Sequence, residues 1–232
     1  MSAAIWHDIE CGAYTADLPL WEELAAGGTV LDVGAGTGRV ALRLARAGCA
    51  VTALDRDPDL LAVLAARARA EGLEIPTIVA DAAHFAIDGT FALVAVPMQT
   101  IQLLPDAAAR AGFFACARRA AAPGGLVALA IAADLEPFEG DELPPPDTGE
   151  VKGARYVSQP MAVRAVPGGT RIERLRRVIP PGTTEHDVIV LAALSAESLA
   201  AEGAAAGLDH EATRHIEPTP DHVGSEVVLL RA

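Results

Sequence analysis

The chain has 232 residues and a formal charge of −13; 51% of it is hydrophobic and only 4% aromatic. That length and apolar fraction suit one domain with an insertion and a core of close, alanine-rich helix–sheet packing. The acidic balance argues against a nucleic-acid partner, whose phosphates are met by a basic face, and the sequence has no apolar run of the roughly 18 residues that a membrane span needs.

The N-terminus lacks the basic-then-apolar pattern of a signal peptide. Cys11, Cys49 and Cys116 are scattered, odd in number and without a C-x-x-C pair. They read as thiols in a reducing compartment, so a cytoplasmic location is expected and a zinc site is not. The histidines show no ligand spacing, and no metal is expected.

In chain order, residues 1–27 read as a helical cap. Tyr14, Leu18, Leu20, Trp21 and Leu24 supply its apolar face. Residues 29–33 (TVLDV) read as a strand, and 38–47 as a helix stopped by Gly48. A second strand over 50–54 is followed by a helix to about Glu71, with Asp57 as N-cap and Pro58 in the first turn. Strands follow at 76–80 and 91–96, then a helix at 106–121 and a fifth strand at 126–132. Strands alternating with helices imply right-handed βαβ units in a parallel sheet covered on both faces. Ligands of such sheets bind beyond the carboxyl ends of the strands.

The pattern then changes. Residues 134–150 are acidic and proline-rich and read as a loop. Residues 155–166, 171–179 and 186–194 read as strands joined by Pro-Gly turns, which favours antiparallel pairing. Ser195 caps a helix to Ala206, and strands near 209–216 and 224–231 close the chain. The segment 134–194 is therefore a β-rich insertion in a single domain over 1–232. It is either a lid over the site or a dimerisation element.

The stretch VLDVGAGTGRV at 30–40 carries most of the chemistry. A dinucleotide loop, G-x-G-x-x-G, would follow Gly34 and Gly36 with glycine at 39. Here the third glycine is Gly38 and position 39 is arginine. No phosphate lysine follows, which excludes a P-loop. Asp32, two residues before Gly34, would repel a diphosphate and suits a ligand with a positive charge. Asp55 ends the second strand, where an acid can accept from two ribose hydroxyls. Asp81 and Ala82 end the third, where a carboxylate and a backbone N–H can meet the edge of a base. Together these residues describe a site for a nucleoside joined to something small and cationic.

With VTALDRD at 51–57, VADA at 79–82, FALVAVP at 91–97 and PGGLVALAI at 123–131, the chain resembles the class I S-adenosylmethionine-dependent methyltransferases across residues 28–132. The resemblance implies a Rossmann-like, doubly wound, mostly parallel sheet of seven strands whose last strand is antiparallel. It implies that Gly34, Ala35 and Gly36 pass under the methionine part of S-adenosylmethionine and that Asp32 holds its amine. Asp55 would bind the ribose, Arg56 would lie beside the adenine, and Asp81 and Ala82 would read the adenine edge. The segment from Val96 to Gln102 would face the methyl group, with Val96 itself at the cofactor. VPMQ at 96–99 lacks the Asn/Asp-Pro-Pro-aromatic pattern of nucleic-acid amino methyltransferases, so a small-molecule N, O or C nucleophile is the expected acceptor.

Gln99, Gln102 and Tyr14 are the substrate-positioning candidates. An aromatic ring such as Tyr14 is attracted to a sulfonium. The residues designate no catalytic base. The competing expectation is a non-catalytic S-adenosylmethionine-binding sensor or scaffold.

Overall fold

The computed structural model describes residues 2–132, 135–140, 142–220 and 222–232. Part of the predicted 134–150 loop, at 134 and 141, lies outside them. Helices α1 (Ser2–Cys11) and α2 (Leu18–Ala25) precede β1 (Thr29–Val33), α3 (Arg39–Arg46), β2 (Ala50–Asp55), α4 (Pro58–Ala70), β3 (Thr77–Val79) and β4 (Phe91–Val96). A short 3-10 turn (Thr100–Leu103) leads to α5 (Ala107–Ala120) and β5 (Ala121–Ile131). Four strands follow, β6 (Asp147–Val151), β7 (Ala154–Val166), β8 (Gly169–Ile179) and β9 (Thr183–Ala192). The chain ends in α6 (Ala196–Ala205), β10 (Asp209–Ile216) and β11 (Ser225–Arg231).

One sheet has seven strands in the order β10-β11-β5-β4-β1-β2-β3. The pairs among β1 to β5 are parallel, while β11 runs antiparallel to both β5 and β10. The expected seven-stranded, mostly parallel sheet and its reversed final strand are therefore present. The strands are apolar on both faces because helices cover both. Val30, Val51, Ala53 and Leu93 pack with Trp21, Leu44 and Leu64 on one side. Leu31, Val33, Val94 and Val96 pack with Phe113, Phe114 and Leu199 on the other.

Local signals hold well. The Asp57 carboxylate accepts from the Asp59 and Leu60 N–H groups, and Ser195 forms a capping box with Ser198. Two readings change. The fifth strand starts at Ala121 rather than 126, with Pro123-Gly124-Gly125 absorbed at a register shift against β4. A Cβ on Gly125 would come within 2.9 Å of the Phe91 carbonyl oxygen, so glycine lets the strands close there.

Residues 147–151, expected in a loop, form the edge strand β6 of a second, antiparallel sheet in the order β6-β7-β8-β9. Their side chains read as a loop because an edge strand needs only backbone pairing to one neighbour. Asp147 adds an anchor, accepting from the Arg174 guanidinium at 2.6 Å. One face of this second sheet packs on α1. There Tyr156 meets Trp6 edge-on with ring centroids 5.1 Å apart, and Arg176 grips Glu10 through two hydrogen bonds of 2.7 and 2.6 Å.

Candidate active site

The loops after β1, β2, β3 and β4 all end at one cavity of about 480 Å³, as the parallel order demands. Its walls include Asp32, Gly34 and Ala35 from the first loop, Asp55 and Arg56 from the second, and Asp81 and Ala82 from the third. Pro97, Met98, Gln99 and Thr100 come from the fourth, and His7 and Cys11 of α1 close the side.

Asp32 is the most unusual wall residue. It continues the Val30 row of β1 towards α3 and is 1% exposed. Among the described residues neither carboxylate oxygen has a hydrogen bond of good geometry, and only the Ala41 N–H at the start of α3 approaches it as a weak partner. Burial pushes its pKa up to about 7, against the pull of the nearby Arg39 charge. A buried carboxylate without a partner is costly unless something supplies one. A ligand ammonium entering the cavity would do so, and the residues present therefore fit a cofactor with a charged amine.

Asp55 is held ready rather than left bare. Its Oδ2 accepts from the Gly36 N–H at 2.8 Å and its Oδ1 from the Asp57 N–H at 2.9 Å. Each oxygen keeps a lone pair, so the carboxylate can also accept from two hydroxyls. Asp81 is set by the Ala83 N–H at 2.8 Å. The Ala82 N–H beside it has no partner among the described residues and can donate to a ring nitrogen. The Gln99 amide faces the cavity and is likewise without a side-chain partner among the described residues.

The protein's own packing also needs the glycines. Gly34 and Gly36 have φ of +76° and +53°. A Cβ at Gly34 would lie 2.5 Å from the Thr100 side chain, and one at Gly36 would lie 2.2 Å from Nε2 of His7. They seat the two facing walls of the cavity, the turn after β4 and the ring on α1. Gly36 itself is not among the wall residues.

Three other expected site residues lie elsewhere. Val96 is 1% exposed inside the core, and Pro97 and Met98 take its place at the wall. Gln102 is buried and spends its amide on structure. Its oxygen accepts from the Ala132 N–H at 2.9 Å, and its nitrogen donates to the carbonyls of Ala132 and Ala192 at 3.3 and 3.2 Å. It clamps the end of β5 to the end of β9, is 3% exposed and is not among the wall residues. Tyr14 is also buried; its ring packs on His222 at 5.0 Å and under the Arg39 guanidinium at 5.2 Å, outside the cavity.

His7, Cys11 and Arg39 are wall residues that sequence reasoning missed. The signal for His7 was Gly36, since a glycine at positive φ marks a place where something comes close. Burial pushes the Cys11 thiol up to about 11, which disfavours the thiolate form that a nucleophile needs. Among the described residues no cluster could hold a metal ion. Among the described residues no wall residue comes from β6 to β9, and the second sheet packs instead on α1 and the turn after β4.

Residues 30–125 match a family model described as a methyltransferase domain. No curated protein matches the chain. Among solved structures it is similar to the sugar N-methyltransferase KedS8 from Streptoalloteichus sp, at 20% identity and a TM-score of 0.75, over 100% of this chain and 93% of that one. It is also similar to CalS10, an amino pentose methyltransferase from Micromonospora echinaspora, at 21% identity and 0.72, over 98% and 97% of the two chains. An S-adenosylmethionine-dependent methyltransferase from Clostridium acetobutylicum matches at 12% identity and 0.74, over 99% and 97%. At such identities the structures speak for the fold, and the family model speaks for a methyltransferase domain over residues 30–125. With its strand order and its amine-ready cavity, this chain has the fold of the class I S-adenosylmethionine-dependent methyltransferases and carries a methyltransferase domain over residues 30–125.

Proposed function

We propose that this enzyme methylates an amine on a small, sugar-sized molecule. The observation that carries the cofactor half is the buried, unpartnered Asp32 sharing one cavity with Asp55 and Asp81. Asp32 takes the cofactor amine, Asp55 the ribose hydroxyls, and Asp81 with the Ala82 N–H the adenine edge, with Arg56 alongside. Gly34 and Ala35 form the floor, and Gly36 acts through its bond to Asp55.

When bound, the sulfonium supplies a methyl group already activated for transfer. The chain's task is to align the acceptor and exclude water. Met98, Gln99 and Cys11 give that end of the cavity a neutral lining, and Gln99 is the polar group available to orient an acceptor. A neutral amine needs only its lone pair and no strong base, which suits the neutral lining of Met98, Gln99 and Cys11. The amine is also in keeping with the two similar structures whose names specify a sugar N-methyltransferase and an amino pentose methyltransferase.

The outer face of the second sheet, with Val188 45% and Val190 50% exposed, supports a homodimer interface rather than a lid. Sedimentation of the wild type against Val188→Glu with Val190→Glu tests this: dimers should become monomers. The three free cysteines are in keeping with work in the cytoplasm, which cell fractionation would check.

The central test is mass spectrometry of acceptor panels incubated with S-adenosylmethionine. Methylated amino sugars are the expected products. Methylation of phenols alone would overturn the amine assignment, and tight S-adenosylhomocysteine binding without turnover on a broad panel would favour the sensor reading.

A further inference from the structure

We propose that His7 is a cofactor-binding residue that holds the methionine carboxylate, opposite Asp32 at the amine. The inference rests on the cofactor reading above and adds a partner for the charge that reading leaves unmet. A bound amino acid moiety carries an ammonium and a carboxylate on one carbon. Asp32 serves the first, and a basic group must stand beside it for the second.

Three basic residues line the cavity: His7, Arg39 and Arg56. Arg56 follows Asp55 at the hydroxyl-binding end and is exposed. Arg39 is already neutralised, because both terminal nitrogens donate to Asp17 at 2.5 and 2.7 Å and one also donates to the Tyr14 carbonyl at 2.8 Å. His7 remains. Its ring lies over Gly36, and its Nε2 has no hydrogen bond among the described residues. Asp32 lies in the strand that runs directly into the Gly34–Gly36 turn, and the His7 ring lies over that turn, which sets the two residues at the β1 end of the cavity.

The ring is also prepared for a proton. The Thr37 hydroxyl donates its hydrogen to Asp8 at 2.6 Å, so its oxygen can only accept from Nδ1–H of His7, 3.1 Å away. This chain fixes the tautomer and leaves the Nε2 lone pair of this wall residue without a protein partner among the described residues. A proton gained at Nε2 makes the ring a donor to the carboxylate without disturbing the Thr37 bond, and the Asp8 charge behind Thr37 supports the imidazolium.

Burial holds the empty ring below its usual range, with Asp8, Asp55 and Glu10 opposing that and Arg39 adding to it. Of the other charges around α1, Arg67 of α4 pairs with Asp8, and Arg176 of the second sheet is bound to Glu10. Ligand entry thus favours loss of a proton from Asp32 and gain of one at His7 Nε2. Together they turn a neutral pair into an ion pair around a zwitterion.

Calorimetry in buffers of differing ionisation enthalpy tests this on the intact protein. The ligands are S-adenosylhomocysteine and its decarboxylated analogue, which keeps the adenosine, sulfur and amine. His7→Gln should weaken S-adenosylhomocysteine about tenfold or more, as expected for a lost hydrogen bond to a charged group, and leave the analogue within about twofold. At pH 7 the wild type should take up close to one more proton than the variant on binding S-adenosylhomocysteine. Equal weakening of both ligands, or an unchanged proton count, would overturn the role of His7 while leaving the cofactor site intact. Failure of the wild type to bind S-adenosylhomocysteine at all would instead bring down the cofactor reading and this inference with it.

Discussion

The two sheets treat buried charge in opposite ways. At the carboxyl ends of the seven-stranded sheet, Asp32 is buried with no partner, and Asp55 and Asp81 keep lone pairs facing the cavity. On the inner face of the four-stranded sheet every charge is met. Arg176 bonds Glu10 and Asp187, Arg174 bonds Asp147 and Ser158, and Ser158 donates to Glu10. Burial works against the Glu10 carboxylate, yet the bonds from Arg176 and Ser158 hold its pKa below the usual carboxylate range. Polar groups satisfied within the protein build a scaffold, while groups left wanting await a ligand.

The sharpest break of that contrast is Asp32→Ala. Removing the amine partner should weaken S-adenosylhomocysteine by about 100-fold, corresponding to roughly 3 kcal/mol for a lost charged hydrogen-bond pair. Calorimetry would read it, and circular dichroism should show the same fold. Unchanged affinity would mean the cavity's unmet charge is not the cofactor's.

The mirror experiment is Glu10→Ala, which leaves Arg176, 17% exposed at its side chain, without its main partner. Stability in urea should fall by about 2–3 kcal/mol, since a mostly buried charge stripped of its partner is costly. Cofactor affinity should stay within a few-fold. A loss of binding with stability intact would put Glu10 in the site and blur the distinction between the sheets.

Asp55→Asn is intermediate in kind, since the side chain serves both roles. It bonds the loop at Gly36 and faces the cavity. We expect affinity to fall by about tenfold or more, near 1.5–3 kcal/mol for hydrogen bonds to a charged group. A loss confined to thermal stability would make it scaffold only.

The smallest effect is a pH slope. Asp32 has a folded pKa of about 7, above the ordinary 3.8. Between these values the native state binds more protons than the unfolded chain, so this group's contribution to ligand-free stability declines as pH rises through that window. The slope is at most about 1.4 kcal/mol per pH unit. Denaturant titrations from pH 4.5 to 7 should show Asp32→Asn with a flatter decline than the wild type. Identical slopes would mean that Asp32 is not buried as an uncompensated acid.

The alternation of strands and helices, the caps at Asp57 and Ser195, and the placement of Asp32, Asp55, Asp81 and Ala82 at strand ends could all be read along the chain. Each depends on a residue's relation to its own element: the period of its apolar neighbours, a glycine at a turn, an acid where a strand stops. The tertiary structure alone decided the rest. It turned Val96 into the core, spent Gln102 on the Ala132 and Ala192 carbonyls, drew Asp147 into an edge strand, and laid His7 over Gly36, 29 residues further along the sequence. These outcomes depend on which surfaces meet when separate elements pack, and no local periodicity encodes that. Asp32 spans both kinds of knowledge. Its position in the strand was legible, but its lack of a well-formed hydrogen bond among the described residues became visible only once the fold had closed around it.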